Sequence, residues 1–131
     1  MSPVESLVVG DLRIEATLAA DAPCLRLAWH GKSNARQADQ LLLPYLERTL
    51  ERAIADGRSL ELHFETLSHF NSSTIASVIQ LIQTAQARAA RLVVVFDPRR
   101  QWQRLSFDAL KVFVGQGGCF ELRTSDGGDA G

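Results

Sequence analysis

Residues 69–82 read HFNSSTIASVIQLI, and the reading of the run Asn71-Ser72-Ser73-Thr74 decides the fold. An asparagine and three hydroxyl residues lead directly into apolar residues at helical spacing: Ile75, Val78, Ile79, Ile82 and, just beyond, Ala85. That spacing predicts an amphipathic helix. Asn71 is a good N-cap, because its side-chain oxygen can accept a hydrogen bond from a backbone N–H one turn in. Ser72, Ser73 and Thr74 then fill the first turn, where such residues gain little from packing. Two readings stand open: the hydroxyls cap the helix, or they present a group to be modified. Three in succession are more than a cap needs.

Upstream, SLELHF (Ser59–Phe64) reads as a strand in which His63, between Leu62 and Phe64, projects from a strand face. The intervening ETLSHF (65–70) reads as a loop. Downstream, RLVVVF (Arg91–Phe96) is a β-branched apolar run, as expected of a strand buried on both faces in a parallel sheet. A last helix, QWQRLSFDALKVF, places Trp102, Leu105, Ala109, Leu110 and Phe113 on one stripe. GQGG ends it, and CFELR fits a final short strand.

Before the central strand, LRIEATL (Leu12–Leu18) and CLRLAW (Cys24–Trp29) alternate with period two around turn residues, which predicts an antiparallel hairpin. His30 to Asn34 breaks the pattern. Leu42, Leu46, Leu50 and Ile54 then recur every four residues, flanked by Leu43 and Ala53, and Gly57 stands where a C-terminal glycine belongs. Pro44 fits either the first turn of this helix or a kink. The order gives an α/β domain over residues 1–123. Its mixed sheet opens with a hairpin, continues in βαβα units, and has about four to five strands and three main helices. The tail, 124–131 (TSDGGDAG), is expected to be disordered.

Composition bounds the function. The chain has 131 residues, 46% hydrophobic and 22% charged, enough for one domain with a real core. With 14 basic and 15 acidic residues it carries a net charge of −1, so no nucleic-acid partner is expected. A local basic cluster of Arg99, Arg100, Arg104 and Lys111 is interrupted by Asp97 and Asp108 and reads as a solvated helix face. Cys24 and Cys119 lie far apart in apolar stretches, as reduced core residues would, although a bridge between neighbouring strands stays open. No leader and no stretch approaching the roughly 20 apolar residues of a membrane span is seen. No membrane contact is expected, and the expected location is cytoplasmic. The catalytic motifs GxSxG and HExxH and a glycine-rich phosphate loop are missing, and His30, His63 and His69 show no metal spacing. Neither a catalytic residue, a metal nor a cofactor is expected.

Location sharpens the question of the hydroxyls. Ser72 follows a strand that should be central, so the first turn of its helix lies at the strand's C-terminal edge, where ligands and partners of α/β sheets bind. A phosphate there would add roughly −1.5 to −2 charges at the positive end of the helix dipole, favourable by about 0.3–1 kcal/mol. Phosphorylation should therefore leave the fold intact and act on whatever docks at this surface.

The run of strand, HFNSSTIASVI, helix, RLVVVFD and terminal amphipathic helix resembles the STAS domain of the anti-sigma-factor antagonists, over roughly Leu12 to Phe113. That family typically has an aspartate, a phosphorylatable serine or threonine, another small hydroxyl residue and a glycine at this place. Ser72 matches the modified position, Ser73 the small residue after it, and Asn71 stands in the aspartate position. Thr74 departs from the glycine. The likeness extends to STAS-like bacterial proteins with asparagine followed by hydroxyl residues, some of which partner a kinase–phosphatase pair and a diguanylate cyclase.

The resemblance implies a non-enzymatic phosphoswitch modified at Ser72, with Ser73 or Thr74 as alternatives. It implies as partners a serine/threonine kinase or anti-sigma factor of histidine-kinase-like type, a PP2C-type phosphatase, or a diguanylate cyclase. The chain itself would be a monomer or weak homodimer. Asn71 to Thr74 would form the partner surface. Phe107, roughly 140° from Trp102 at ~100° per residue, could add an exposed anchor or pack under a neighbouring loop. Rival readings are an unmodified scaffold that holds an anionic small molecule or nucleotide at the helix N-terminus, and a small enzyme with a loop-built site.

Overall fold

In the computed structural model, which describes residues 6–18, 23–33, 39–114 and 120–124, the chain begins with β1 (Leu7–Val9), β2 (Leu12–Thr17), β3 (Cys24–Ser33) and α1 (Asp39–Ala55). It continues through β4 (Ser59–His63), β5 (Leu67–Phe70), α2 (Ser72–Ala87) and β6 (Leu92–Phe96). It ends with α3 (Gln101–Asp108), a 3-10 turn (Ala109–Phe113) and β7 (Phe120–Thr124). One mixed sheet runs in the order β1-β2-β3-β4-β6-β7, with β5 also paired to β3. The first three strands are antiparallel, and β4, β6 and β7 are added in parallel one beyond another. Crossovers of one hand that always step the same way place their helices on one face of a sheet. The buried side chains of α1, α2 and α3 accordingly fall in one cluster with one sheet face.

The predicted hairpin forms, with Ile14 opposite Trp29. On the core face Leu25, Leu27 and Trp29 of β3 and Leu60, Leu62 and Phe64 in and after β4 are fully buried. The alternate residues of these strands point the other way and are polar or small: Arg26 and Ala28, Glu61 and His63. Among the described strands, only β6 is buried along its whole length, as the apolar run RLVVVF predicts.

Among the described residues seven strands form rather than about four to five. The N-terminal addition is β1, which folds back on β2 across Gly10-Asp11, with Gly10 at φ 58. The other is β5, inside the stretch read as a loop. Strands β4 and β5 both run along β3, joined by a turn in which the Leu67 N–H donates to the Phe64 carbonyl at 2.9 Å, and the β3–β5 pairing shifts register between Gly31 and Lys32. Ala28 pairs with His63 and Gly31 with Leu67, so Trp29 and His30 face one residue more on the other side. For the same reason β3 does not stop at Trp29 but continues to Ser33. Such a turn and register shift break the period-two pattern by which a sequence announces a strand, and that hid both extensions.

The first two helices keep their expected ranges. In α1, Leu42, Leu46 and Leu50 are buried and Ile54 packs at their edge. Pro44 lies inside α1, past its first turn, on the exposed side, where the Gln40 carbonyl that loses its helical donor can turn to water. The buried face of α2 is broader than predicted: Thr74, Ser77 and Leu81 join Val78, Ile82 and Ala85, while Ile75 and Ile79 are only half-buried.

The last helix departs from its predicted stripe. It buries Gln103, Phe107 and Leu110, and leaves Leu105 61% exposed. The buried set keeps regular helical spacing, but on a different face from the predicted stripe, because the polar Gln103 takes a core position; beyond Asp108 the helix tightens into the 3-10 turn. Cys24 is half-buried, on the polar side of β3, and Cys119 lies outside the described residues. Thr124 still belongs to β7, opposite Phe96, and the expected tail beyond it lies outside the described residues.

Gly31 holds the long β3 in place. Its φ is 85, and a Cβ built there would meet the Asp11 carbonyl oxygen at 2.0 Å. Neither the backbone conformation nor the space admits a side chain. Gly31→Ala is expected to destabilise the protein by at least about 2 kcal/mol, read as a lower urea midpoint at unchanged m-value.

Candidate functional site

The C-terminal edge of the sheet is where β3 and β5 end side by side and α2 begins. Asn71 leaves the sheet with its N–H donating to the Ser33 carbonyl at 2.9 Å. It adopts an extended conformation (φ −95, ψ 178), and its Oδ1 accepts from the Thr74 N–H at 3.0 Å, the N-cap bond predicted from sequence. The same Oδ1 accepts from the Thr74 hydroxyl at 2.9 Å. Having given its only proton to Asn71, Thr74 Oγ1 accepts from Ser33 Oγ at 2.6 Å. Ser33 is 1% exposed and Thr74 fully buried, so this network lies in a low-dielectric setting where each missing partner is costly.

The three hydroxyls of the run therefore separate by environment. Ser72 is exposed, Ser73 is half-buried, and Thr74 is inside. The Ser73 carbonyl accepts from Ser77 Oγ at 3.1 Å within the helix. Thr74 is thus corrected as a modification or docking residue: its hydroxyl is committed to tying α2 to β3. Phe107 is likewise corrected. It is fully buried at the centre of an aromatic cluster, its ring 4.9 Å from Phe64, 5.3 Å from Phe96 and 5.5 Å from Phe70. Phe107 faces the core and Trp102 lies at its rim.

Trp102 is the aromatic group at this edge that sequence reasoning placed in the core stripe. It is half-buried, 5.2 Å from Phe70 in an edge-on contact and 6.3 Å from the exposed His69. The signal for this was the competing spacing Gln103, Phe107, Leu110. Gln103 holds α3 here. Its side-chain nitrogen donates to the carbonyls of Phe64 at 2.7 Å and Leu67 at 3.1 Å, and its oxygen accepts from the Asp97 N–H at 2.8 Å. The neighbouring basic residues are mostly engaged in ion pairs, Arg99 with Asp97 at 3.1 Å and Lys111 with Asp108 at 3.3 Å. Hydrogen bonds from Arg99 hold the Asp97 carboxyl below its usual range.

A second cluster sits on the polar face of the sheet. Glu61, His63 and Glu65 are two residues apart and so share a face, a period-two signal present in ELHFE but not read from it. Glu61 lies 2.9 Å from His63 Nε2 and Glu65 3.2 Å from Nδ1. Burial disfavours the imidazolium, but the bonds to Glu65 and Glu61 outweigh it and His63 titrates above its ordinary value of 6.5. Burial also acts on Glu65, yet its bond to His63 leaves it below the ordinary 4.5. Among the described residues, no group of three or more histidine, cysteine, aspartate or glutamate side chains is arranged to hold a metal ion. Likewise, no described helix is long and apolar enough to cross a membrane.

The fold so built is a mixed sheet covered by helices on one face. No protein-family model matches the sequence, and no curated protein does. Among solved structures, the chain is similar to an uncharacterised protein of Shewanella loihica PV-4 with a SpoIIAA-like fold. Identity is 16%, the TM-score is 0.51, and the match covers 93% of this chain and 89% of that one. It is also similar to the anti-sigma factor antagonist SpoIIAA in its unphosphorylated form, at 16% identity and a TM-score of 0.48, over 78% of this chain and 98% of that one. The first of these likenesses establishes the fold: the chain has a SpoIIAA-like architecture.

Two outcomes test this geometry. Thr74→Val is expected to cost about 1–3 kcal/mol by leaving Ser33 and Asn71 short of a partner, and Ser33→Ala combined with it to cost less than the two single changes added together. Denaturant unfolding of the three variants measures the coupling. For His63, a raised folded pKa means stability that is complete below 6.5 and lost as pH climbs through the folded value; for Glu65, a lowered one means stability present above 4.5 and lost on acidification. The stability gap between wild type and His63→Gln should be widest between those two values and close on either side.

Proposed function

We propose that the protein is a non-enzymatic regulatory binding protein, switched by reversible phosphorylation of Ser72. The observation that carries this reading is the separation of the three hydroxyls: Ser72 is the one that is exposed, at the first position of a helix whose cap is satisfied without it. Modification of Ser72 would need no unfolding, and the new charge would sit at the positive end of the α2 dipole. Thr74 would have to be pulled out of its bonds to Asn71 and Ser33 first. In the unmodified form Asn71, Ser72 and Ser73 offer a low, uncharged surface, with Trp102, in place of the buried Phe107, as its aromatic anchor. A phosphate there inserts bulk and charge into the interface.

The resemblance to the anti-sigma-factor antagonists supports the same reading and supplies the class of partner. That is a histidine-kinase-like serine kinase or anti-sigma factor, reversed by a PP2C-type phosphatase, with a diguanylate cyclase as the alternative output. A cytoplasmic location, as monomer or weak homodimer, goes with that role.

Intact mass and fragmentation of the protein purified from its own cells are expected to show one phosphate on Ser72, absent from Ser72→Ala. Against the kinase, Ser72→Ala should bind as the unmodified protein does, and the phosphorylated form at least about tenfold more weakly. Absence of phosphate in every growth condition, or equal affinity of both forms, would remove the switch and favour an unmodified scaffold.

A further inference from the structure

At the opposite end of the sheet from Ser72, a cleft of about 620 Å3 opens between the ends of α1 and α2 and the first residues of β4 and β6. Four arginines from four segments line it: Arg58 in the α1–β4 turn, Arg88 at the end of α2, Arg91 just before β6, and Arg123 in β7. One carboxylate, Glu61, lies among them. Ile54 and Val93 supply apolar wall.

The ends of the two helices explain part of this charge. Both close with a residue at positive φ, Gly57 at 66 and Ala89 at 52, and C-terminal carbonyls attract cations. That accounts for Arg58 and Arg88. It does not account for Arg91, just before β6, and Arg123 in β7, which converge on Glu121, each at 2.6 Å. These pairs, and that of Arg88 with Glu51, are solvent-exposed, and exposed ion pairs contribute little to stability. An anion of higher charge could displace Glu51 and Glu121 at small cost. Guanidinium forks match phosphate oxygens in pairs, and four of them spread around a cleft of this size address more oxygens than one phosphate offers. The volume falls within the roughly 300–1,000 Å3 of small-molecule sites.

We propose that this arginine-lined cleft binds a nucleotide-sized small molecule carrying two or more phosphates. The site is separate from Ser72 and does not depend on its modification.

Calorimetric titration of the full chain at low salt tests it, with ADP, pyrophosphate and inorganic phosphate as probes. ADP is expected to saturate with a Kd below about 1 mM, and phosphate to bind more weakly. Arg91→Gln with Arg123→Gln should weaken ADP by at least about tenfold. Arg99→Gln with Arg104→Gln removes the same charge from the other end of the sheet and should change it less than about twofold. Pyrophosphate binding as well as ADP would assign recognition to the diphosphate alone, and tighter ADP would add the nucleoside, both within the proposal. Arg91→Lys keeps the charge without the fork and is expected to weaken ADP even where the double variant folds poorly. No saturable binding of ADP or pyrophosphate, equal losses in the two double variants, or loss on Ser72→Glu alone would overturn it.

Discussion

Ser33, Thr74 and Gln103 are buried polar side chains at the place where the parallel strands end, and the geometry of that edge depends on their hydrogen bonds. A strand that leaves a sheet under a layer of helices leaves polar groups in a low-dielectric setting, and each needs a partner. Ser33 and Thr74 join the end of β3 to the first turn of α2 through Asn71. Gln103 gathers the carbonyls of Phe64 and Leu67 with the Asp97 N–H and so anchors α3 against β4, β5 and β6. Ser72 can be exposed because these groups hold the helix start without it.

The same constraint gives the two ends of the sheet different chemistry. At the end where α2 starts, backbone N–H groups and small hydroxyls meet an aromatic rim of Phe70 and Trp102. At the other, helix carbonyl ends meet guanidiniums. A helix dipole favours anions at its start and cations at its finish. A phosphate covalently held at Ser72 and a diffusible polyphosphate in the arginine cleft would therefore be bound by different means, the first by dipole and backbone, the second by side-chain forks.

Packing all helices on one face leaves the other face of the sheet to polar residues. On it Glu61, His63 and Glu65 form a line in which the imidazole satisfies both carboxylates only when both ring nitrogens carry protons. Val93 and Val95 are also buried on this side, although they stand apart from the main core cluster. Long neighbouring side chains such as Arg123 and Glu121 of the adjacent strand can cover them with their aliphatic stems.

Period and composition in the sequence determined the α/β class, the hairpin, the three helices, the fully buried β6 and the Asn71 cap. Each of these is a local pattern: alternation, a 3.6-residue stripe, or a cap residue before an apolar run. The short strand β5, the continuation of β3 and the buried face of the last helix were decided by tertiary structure. The turn between β4 and β5 and the register shift at Gly31 and Lys32 interrupt the alternation, and a buried glutamine carries no apolar signal; only pairing with β3 and the carbonyls of Phe64 and Leu67 give these residues their places. The fate of the hydroxyl run divides along the same line. Sequence placed Ser72, Ser73 and Thr74 in one turn, but successive residues of a helix point about 100° apart. Which of them meets solvent and which meets Ser33 depends on where the sheet lies, and no local pattern carries that information.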